Sequence, residues 1–186
     1  MRTDILAYVV GWTLILFCIP LSIVALTTLV LGYGIDFAIR AFLAPLLFTA
    51  ILGFSLKRWG TREDSIERLR DREAFAAVAI GWPVVVAIGA LPYWLGGMFY
   101  GLSEYLYADA ELSTVVVGYV HSWFESMSGF TTTGATVIDP STSPICTAAV
   151  TDCIAAQPRS LLLWRSLTQW IGGMGIIMLG ILIISR

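Results

Sequence analysis

Residues 119–136 read YVHSWFESMSGFTTTGAT. Trp123, Phe124, Met127 and Phe130 are bulky, while His121, Glu125, Ser126 and Ser128 are polar, so 119–130 reads as a short amphipathic helix. Gly129 breaks the helical pattern, and Thr131, Thr132 and Thr133 then lead into Gly134. A helix of about twelve residues spans only ~18 Å at 1.5 Å per residue, less than a ~30 Å hydrocarbon core. Yet this one lies between two apolar runs long enough to cross. A short helix that enters and leaves by the same face is a re-entrant pore loop, and the polar segment after it must line water or protein.

The threonine–glycine run suggests what such a loop does. If Gly134 adopts a torsion that other residues resist, the backbone carbonyls of residues 131–134 can turn toward a common axis. Rings of such carbonyls replace the hydration shell of a bare cation. The preceding helix aims its negative C-terminal end at the same place, which favours a cation there. A polar loop between two membrane helices, with no ion role, fits the spacing equally well.

Composition bounds the rest. Hydrophobic residues make up 58% of the 186 and charged residues 13%, with a mean hydropathy of +0.82. A soluble domain carries about a quarter charged residues. The expected fold is an all-α integral membrane protein with about four transmembrane helices, one short re-entrant pore helix and a filter loop. No phosphate-binding glycine loop, zinc-type Cys/His spacing or basic nucleic-acid patch occurs, so nucleic acid is not an expected partner.

The expected crossings are 5–31, 35–56, 74–98 and 159–184, with a tight turn at Gly32-Tyr33-Gly34 and Pro20 as a kink in the first. Asp36 and Arg40, four apart, can pair at the interface. Between the second and third crossings lies KRWGTREDSIERLRDRE, residues 57–73, with bases at Lys57, Arg58, Arg62, Arg68, Arg70 and Arg72. Such a loop belongs in the cytoplasm together with the N-terminus, and its mixed signs suggest a solvated helix. Residues 99–160 are then extracellular. Their acids are Glu104, Asp109, Glu111, Glu125, Asp139 and Asp152, against one base, Arg159. That is an acidic vestibule that gathers cations, or the ordinary composition of an outside loop. The domains so read are a leading helix pair, 1–56, a charged linker, 57–73, and a helix–pore-loop–helix unit, 74–186, with pore helix 119–130, filter 131–135 and last helix 159–184.

Cys146 and Cys153 share the external loop, and a disulfide between them is plausible; Cys18 sits within the first helix as a small hydrophobe. His121 and Glu125 share a helical face, but this is the single histidine, and neither a third metal ligand nor an oriented nucleophile accompanies it. No enzyme is expected. Gly172, Gly173 and Gly175 in the last helix favour tight packing over a flexible break. Glu125 and Arg165 are ionisable groups at similar membrane depth, where an unpaired charge is costly. They are expected to pair and brace the loop without touching an ion.

Two motifs, FESMSGFTTTGAT and, after a loop, PRSLLLWRSLTQWIGGMGIIML, together resemble the first helix–pore-loop–helix repeat of the Trk/Ktr/HKT superfamily of potassium transporters. The likeness is to the TrkH branch, because two further apolar segments precede the repeat. The resemblance implies potassium uptake across the plasma membrane through a carbonyl-lined filter, with K⁺ the transported ion and no other cofactor. It implies that the carbonyls of Thr132, Thr133 and Gly134 contact K⁺, with Thr131 and Ala135 flanking. The family keeps glycine at the filter position in its potassium-selective members and sometimes serine where sodium passes, so Gly134 points to K⁺. The family builds its filter from four unequal repeats in one polypeptide, and one repeat occurs here. The chain is therefore expected to be the N-terminal portion of a longer transporter, the remaining repeats supplying the other walls. A short subunit forming a homotetrameric cation channel, or a non-conducting structural membrane subunit, is the alternative. The family also implies a homodimer and a TrkA-like ring of cytoplasmic nucleotide-binding regulatory subunits, on the side that residues 57–73 would face.

Overall fold

The computed structural model describes residues 3–60, 71–101, 111–147 and 149–184. Among them every regular element is a helix: α1 Thr3–Val30, α2 Ile35–Gly60, α3 Asp71–Leu95, α4 Leu112–Phe130 and α5 Arg159–Ile184. Residues 61–70 of the charged linker, and the acids Glu104 and Asp109, lie outside the described residues.

The α1–α2 hairpin forms because two apolar runs are split by a turn whose glycines take left-handed torsions, Gly32 at φ 78° and Gly34 at φ 86°. The two helices then approach through small residues. A methyl on Gly11 would lie 2.6 Å from the Lys57 backbone nitrogen, and one on Gly53 3.1 Å from the Gly11 carbonyl oxygen. Small residues at a crossing let helix backbones come close where no hydrophobic gain drives them together. The outward faces carry Leu16, Ile19, Ile23 and Leu26 on α1 and Leu47, Ile51 and Phe54 on α2, all exposed. Helices apolar on their outer faces as well as their inner ones are membrane helices.

Three helices among the described residues, Thr3–Val30, Ile35–Gly60 and Phe75–Leu95, are long and apolar enough to cross a bilayer. The 26 residues of α5 reach ~39 Å at 1.5 Å each. The helices lock around Trp164 of α5, which is fully buried. Its ring lies 5.5 Å from that of Phe17 in α1 and 6.4 Å from Phe42 in α2, and its indole N–H donates to the Gly89 carbonyl of α3 at 3.0 Å. One aromatic side chain thus joins four helices, and its polar edge is satisfied.

The helix before the threonines starts at Leu112, earlier than 119. Its first turns are the β-branched run LSTVVVG, a weak helix former. Tertiary contacts override that preference: Trp94 donates to the Val115 carbonyl at 3.2 Å, and Gly118 packs on the Tyr100 backbone. With 19 residues α4 is about 28 Å long, so length does not separate re-entry from crossing. Two smaller differences concern α2. It runs on to Gly60, into the charged stretch. Asp36 and Arg40 are exposed and form no ion pair with each other, since two side chains in a polar surrounding gain little by pairing.

Candidate functional site

What marks α4 as re-entrant is where it stops. The Phe130 ring lies 5.8 Å from Phe17, near the midpoint of α1. A methyl at Gly172, near the midpoint of α5, would collide with the Phe130 carbonyl. The helix therefore ends halfway along its neighbours, and the chain turns back. Ser126 secures that seat, its buried hydroxyl donating to the Val86 carbonyl of α3 at 2.7 Å.

Beyond Phe130 the loop folds its N–H groups back onto the helix end. Thr131 N–H donates to Met127 O at 2.9 Å, Thr132 to Gly129 O at 2.9 Å, Thr133 to Ser128 O at 3.0 Å, and Gly134 to Ser128 O at 3.4 Å. This needs left-handed backbone at two alternating positions, Thr132 (φ 56°) and Gly134 (φ 75°). Glycine accepts such a torsion freely; a threonine held there costs on the order of 1–2 kcal/mol. Strain of this kind persists where the surroundings over-determine it, and it gathers at functional sites. The carbonyls divide into two groups. Those of Thr131, Thr132 and Thr133 accept no hydrogen bond from the described residues, whereas Gly134 O accepts from Arg165 Nη2 at 3.2 Å and Ala135 O from Ser128 Oγ at 2.7 Å. Residues 132–136 are exposed. A row of carbonyl oxygens without donors among the described residues, at a helix C-terminus, presents partial negative charge.

Behind the loop, Glu125 of α4 is 1% exposed. Its Oε1 accepts from Arg165 Nε of α5 at 2.5 Å, and its Oε2 from Thr136 Oγ1 at 3.0 Å. Thr136 Oγ1 in turn accepts from the Ile138 N–H at 3.2 Å. An isolated buried carboxylate is costly, so each of these partners matters. Through them the α4 carboxylate, the α5 guanidinium and the far limb of the loop form one unit, in which Arg165 bonds Glu125 and Gly134 together.

The remaining candidates lie apart from this unit. Cys146 and Cys153 are joined by a disulfide, with Cα atoms 5.1 Å apart, in the loop before α5. Gln157 closes that loop, its amide donating to Cys153 O and Ser143 Oγ, both at 3.1 Å. His121 packs its ring 5.8 Å from Phe99. Among the described residues no three His, Cys, Asp or Glu come together as metal ligands. Asp139, at the outer end of the loop, is held below the usual carboxylate range by the Ser141 hydroxyl and by backbone N–H groups of Ser141 and Thr142. Of the glycines in α5, Gly172 is needed for close packing, whereas a methyl at Gly173 would meet only Thr132 Cγ2, at 3.6 Å.

Sequence reasoning overlooked Ser128 and Thr136 as loop ligands. Their partners, seven and eleven residues away, follow no helical or strand period. The overlooked signal was chemical: a serine inside the apolar end of α4 needs a partner.

No family model matches the chain. It is 34% identical over 145 residues to an uncharacterized cation transporter of Methanocaldococcus jannaschii, covering 78% of this chain and 23% of that protein. It is 32% identical over 176 residues to the Trk system potassium uptake protein TrkH of Escherichia coli K12, covering 95% of this chain and 29% of that protein. Among solved structures, the potassium transporter TrkH from Vibrio parahaemolyticus matches with a TM-score of 0.72 and 26% identity, over 100% of this chain and 32% of that one. The chain thus spans less than a third of the length of these relatives.

Proposed function

We propose, from the premise that this chain is of the Trk type in sequence and in fold, that it forms one wall of a potassium-selective pore and takes part in potassium uptake. One observation carries the reading: the carbonyls of Thr131, Thr132 and Thr133 have no donor among the described residues, while the N–H groups of residues 131–134 turn back onto α4. Thr132 and Thr133 present the oxygens that replace the hydration waters of K⁺. Gly134 shares its carbonyl between Arg165 and the ion, since a carbonyl oxygen has two lone pairs. Thr131 and Ala135 flank this row. Glu125 and Arg165 brace it as a neutral pair, so the guanidinium beside Gly134 adds no net charge to repel the cation.

The reaction is passage of an ion, and no covalent chemistry is assigned. The other walls come from further pore loops of the same kind. A second copy, and a cytoplasmic nucleotide-binding regulatory subunit on the side of residues 57–73, complete the assembly. In this orientation residues 99–160 face outward at the plasma membrane and the N-terminus faces the cytoplasm. The test is growth and ⁸⁶Rb⁺ uptake at low external K⁺ in a host lacking its own potassium uptake. Wild-type transporter restores both; equal uptake of Na⁺ and Rb⁺ would refute the potassium assignment.

A further inference from the structure

Ser128 is 5% exposed and lies two residues before the end of α4. A serine inside a helix ordinarily bonds back to the carbonyl one turn earlier or faces water. Here its hydroxyl reaches forward seven residues, across the whole threonine–glycine turn, to the Ala135 carbonyl at 2.7 Å. Its own backbone carbonyl meanwhile receives the N–H groups of Thr133 and Gly134. One residue thus holds three successive positions of the loop. Ala135 is exposed and follows the left-handed Gly134, so it continues the exposed run of the loop.

We infer that Ser128 is a positioning residue that sets the outer end of the ladder of coordinating oxygens, by fixing the direction of the Ala135 carbonyl. The inference rests on the pore-wall reading of the loop. Without the hydroxyl, Ala135 O loses its one fixed donor and the outer end of the ladder is no longer held in place. A looser ladder with an unpinned oxygen adapts to a smaller ion, so discrimination falls while the two backbone bonds to Ser128 O keep the loop folded. Ser128 touches no ion itself.

The test measures the K⁺-to-Na⁺ permeability ratio and the thermal stability of the transporter in the same host. Ser128→Ala lowers the ratio about fivefold, equivalent to ~1 kcal/mol at 1.4 kcal/mol per tenfold, with its melting temperature close to wild type. A ratio within twofold of wild type, in protein that accumulates normally, overturns the inference. If Ser128→Ala does not accumulate, Ser128→Cys replaces it, being similar in size but a weak donor. A lowered ratio in Ser128→Cys then supports the role, and an unchanged one overturns it. Failure of the wild type to pass K⁺ at all overturns the pore-wall reading, and this inference with it, before any variant is compared.

Discussion

At Gly134 a side chain has room within this chain, since the nearest atom to an added Cβ is Gln169 Nε2 at 3.9 Å. What the position cannot tolerate is an ordinary L-residue torsion at φ 75°. Gly134→Ser is therefore disfavoured by its backbone, by about 1 kcal/mol, and the loop relaxes away from its carbonyl row. We expect the K⁺-over-Na⁺ permeability ratio to fall about fivefold, read from bi-ionic flux; an unchanged ratio would remove Gly134 from the filter. Glu125 and Arg165 make the second prediction at this scale. Removing one partner leaves a buried charge unpaired, at a cost of roughly 3–5 kcal/mol. Glu125→Gln and Arg165→Gln should each lower accumulation or flux, and the double change should cost less than the sum. Strictly additive losses would show that the 2.5 Å contact carries no coupling.

At the scale of elements, α4 is seated by backbone contact with α5. A methyl at Gly172 meets the Phe130 carbonyl, and neither backbone can yield without moving a helix. Gly172→Ala should lower stability by about 1–3 kcal/mol, the usual result of overpacking. Gly173→Ala, with its nearest neighbour at 3.6 Å, should leave the melting temperature of detergent-solubilised protein almost unchanged. Equal melting temperatures for the two variants would contradict this packing. The start of α4 was not legible in the sequence, because a β-branched run looks extended until Trp94 and the Tyr100 backbone close on it. The start of α5 was legible, because Pro158 precedes a long apolar run and can cap but not continue a helix.

For the molecule as a whole, the pore-wall proposal makes one loop a wall and not a ring. The purified 186-residue chain, inserted in liposomes as a monomer, should carry no K⁺ flux above the lipid background. Flux from a chain that runs as a tetramer would instead support a homotetrameric channel. Membrane helices, the tight turn at Gly32 to Gly34 and the threonine–glycine loop follow from the sequence by itself. Apolar run length, glycine torsion and the chemistry of carbonyls are local properties, carried by neighbouring residues. Only the tertiary structure decided that Thr132 is left-handed, that Trp164 joins four helices, and which donors take the Gly134 and Ala135 carbonyls. Two of those outcomes depend on pairings between residues far apart in the chain, Gly89 with Trp164 and Gly134 with Arg165. A buried polar group must find a partner, but its sequence does not say whose; that is settled when the helices pack and leave one donor within reach.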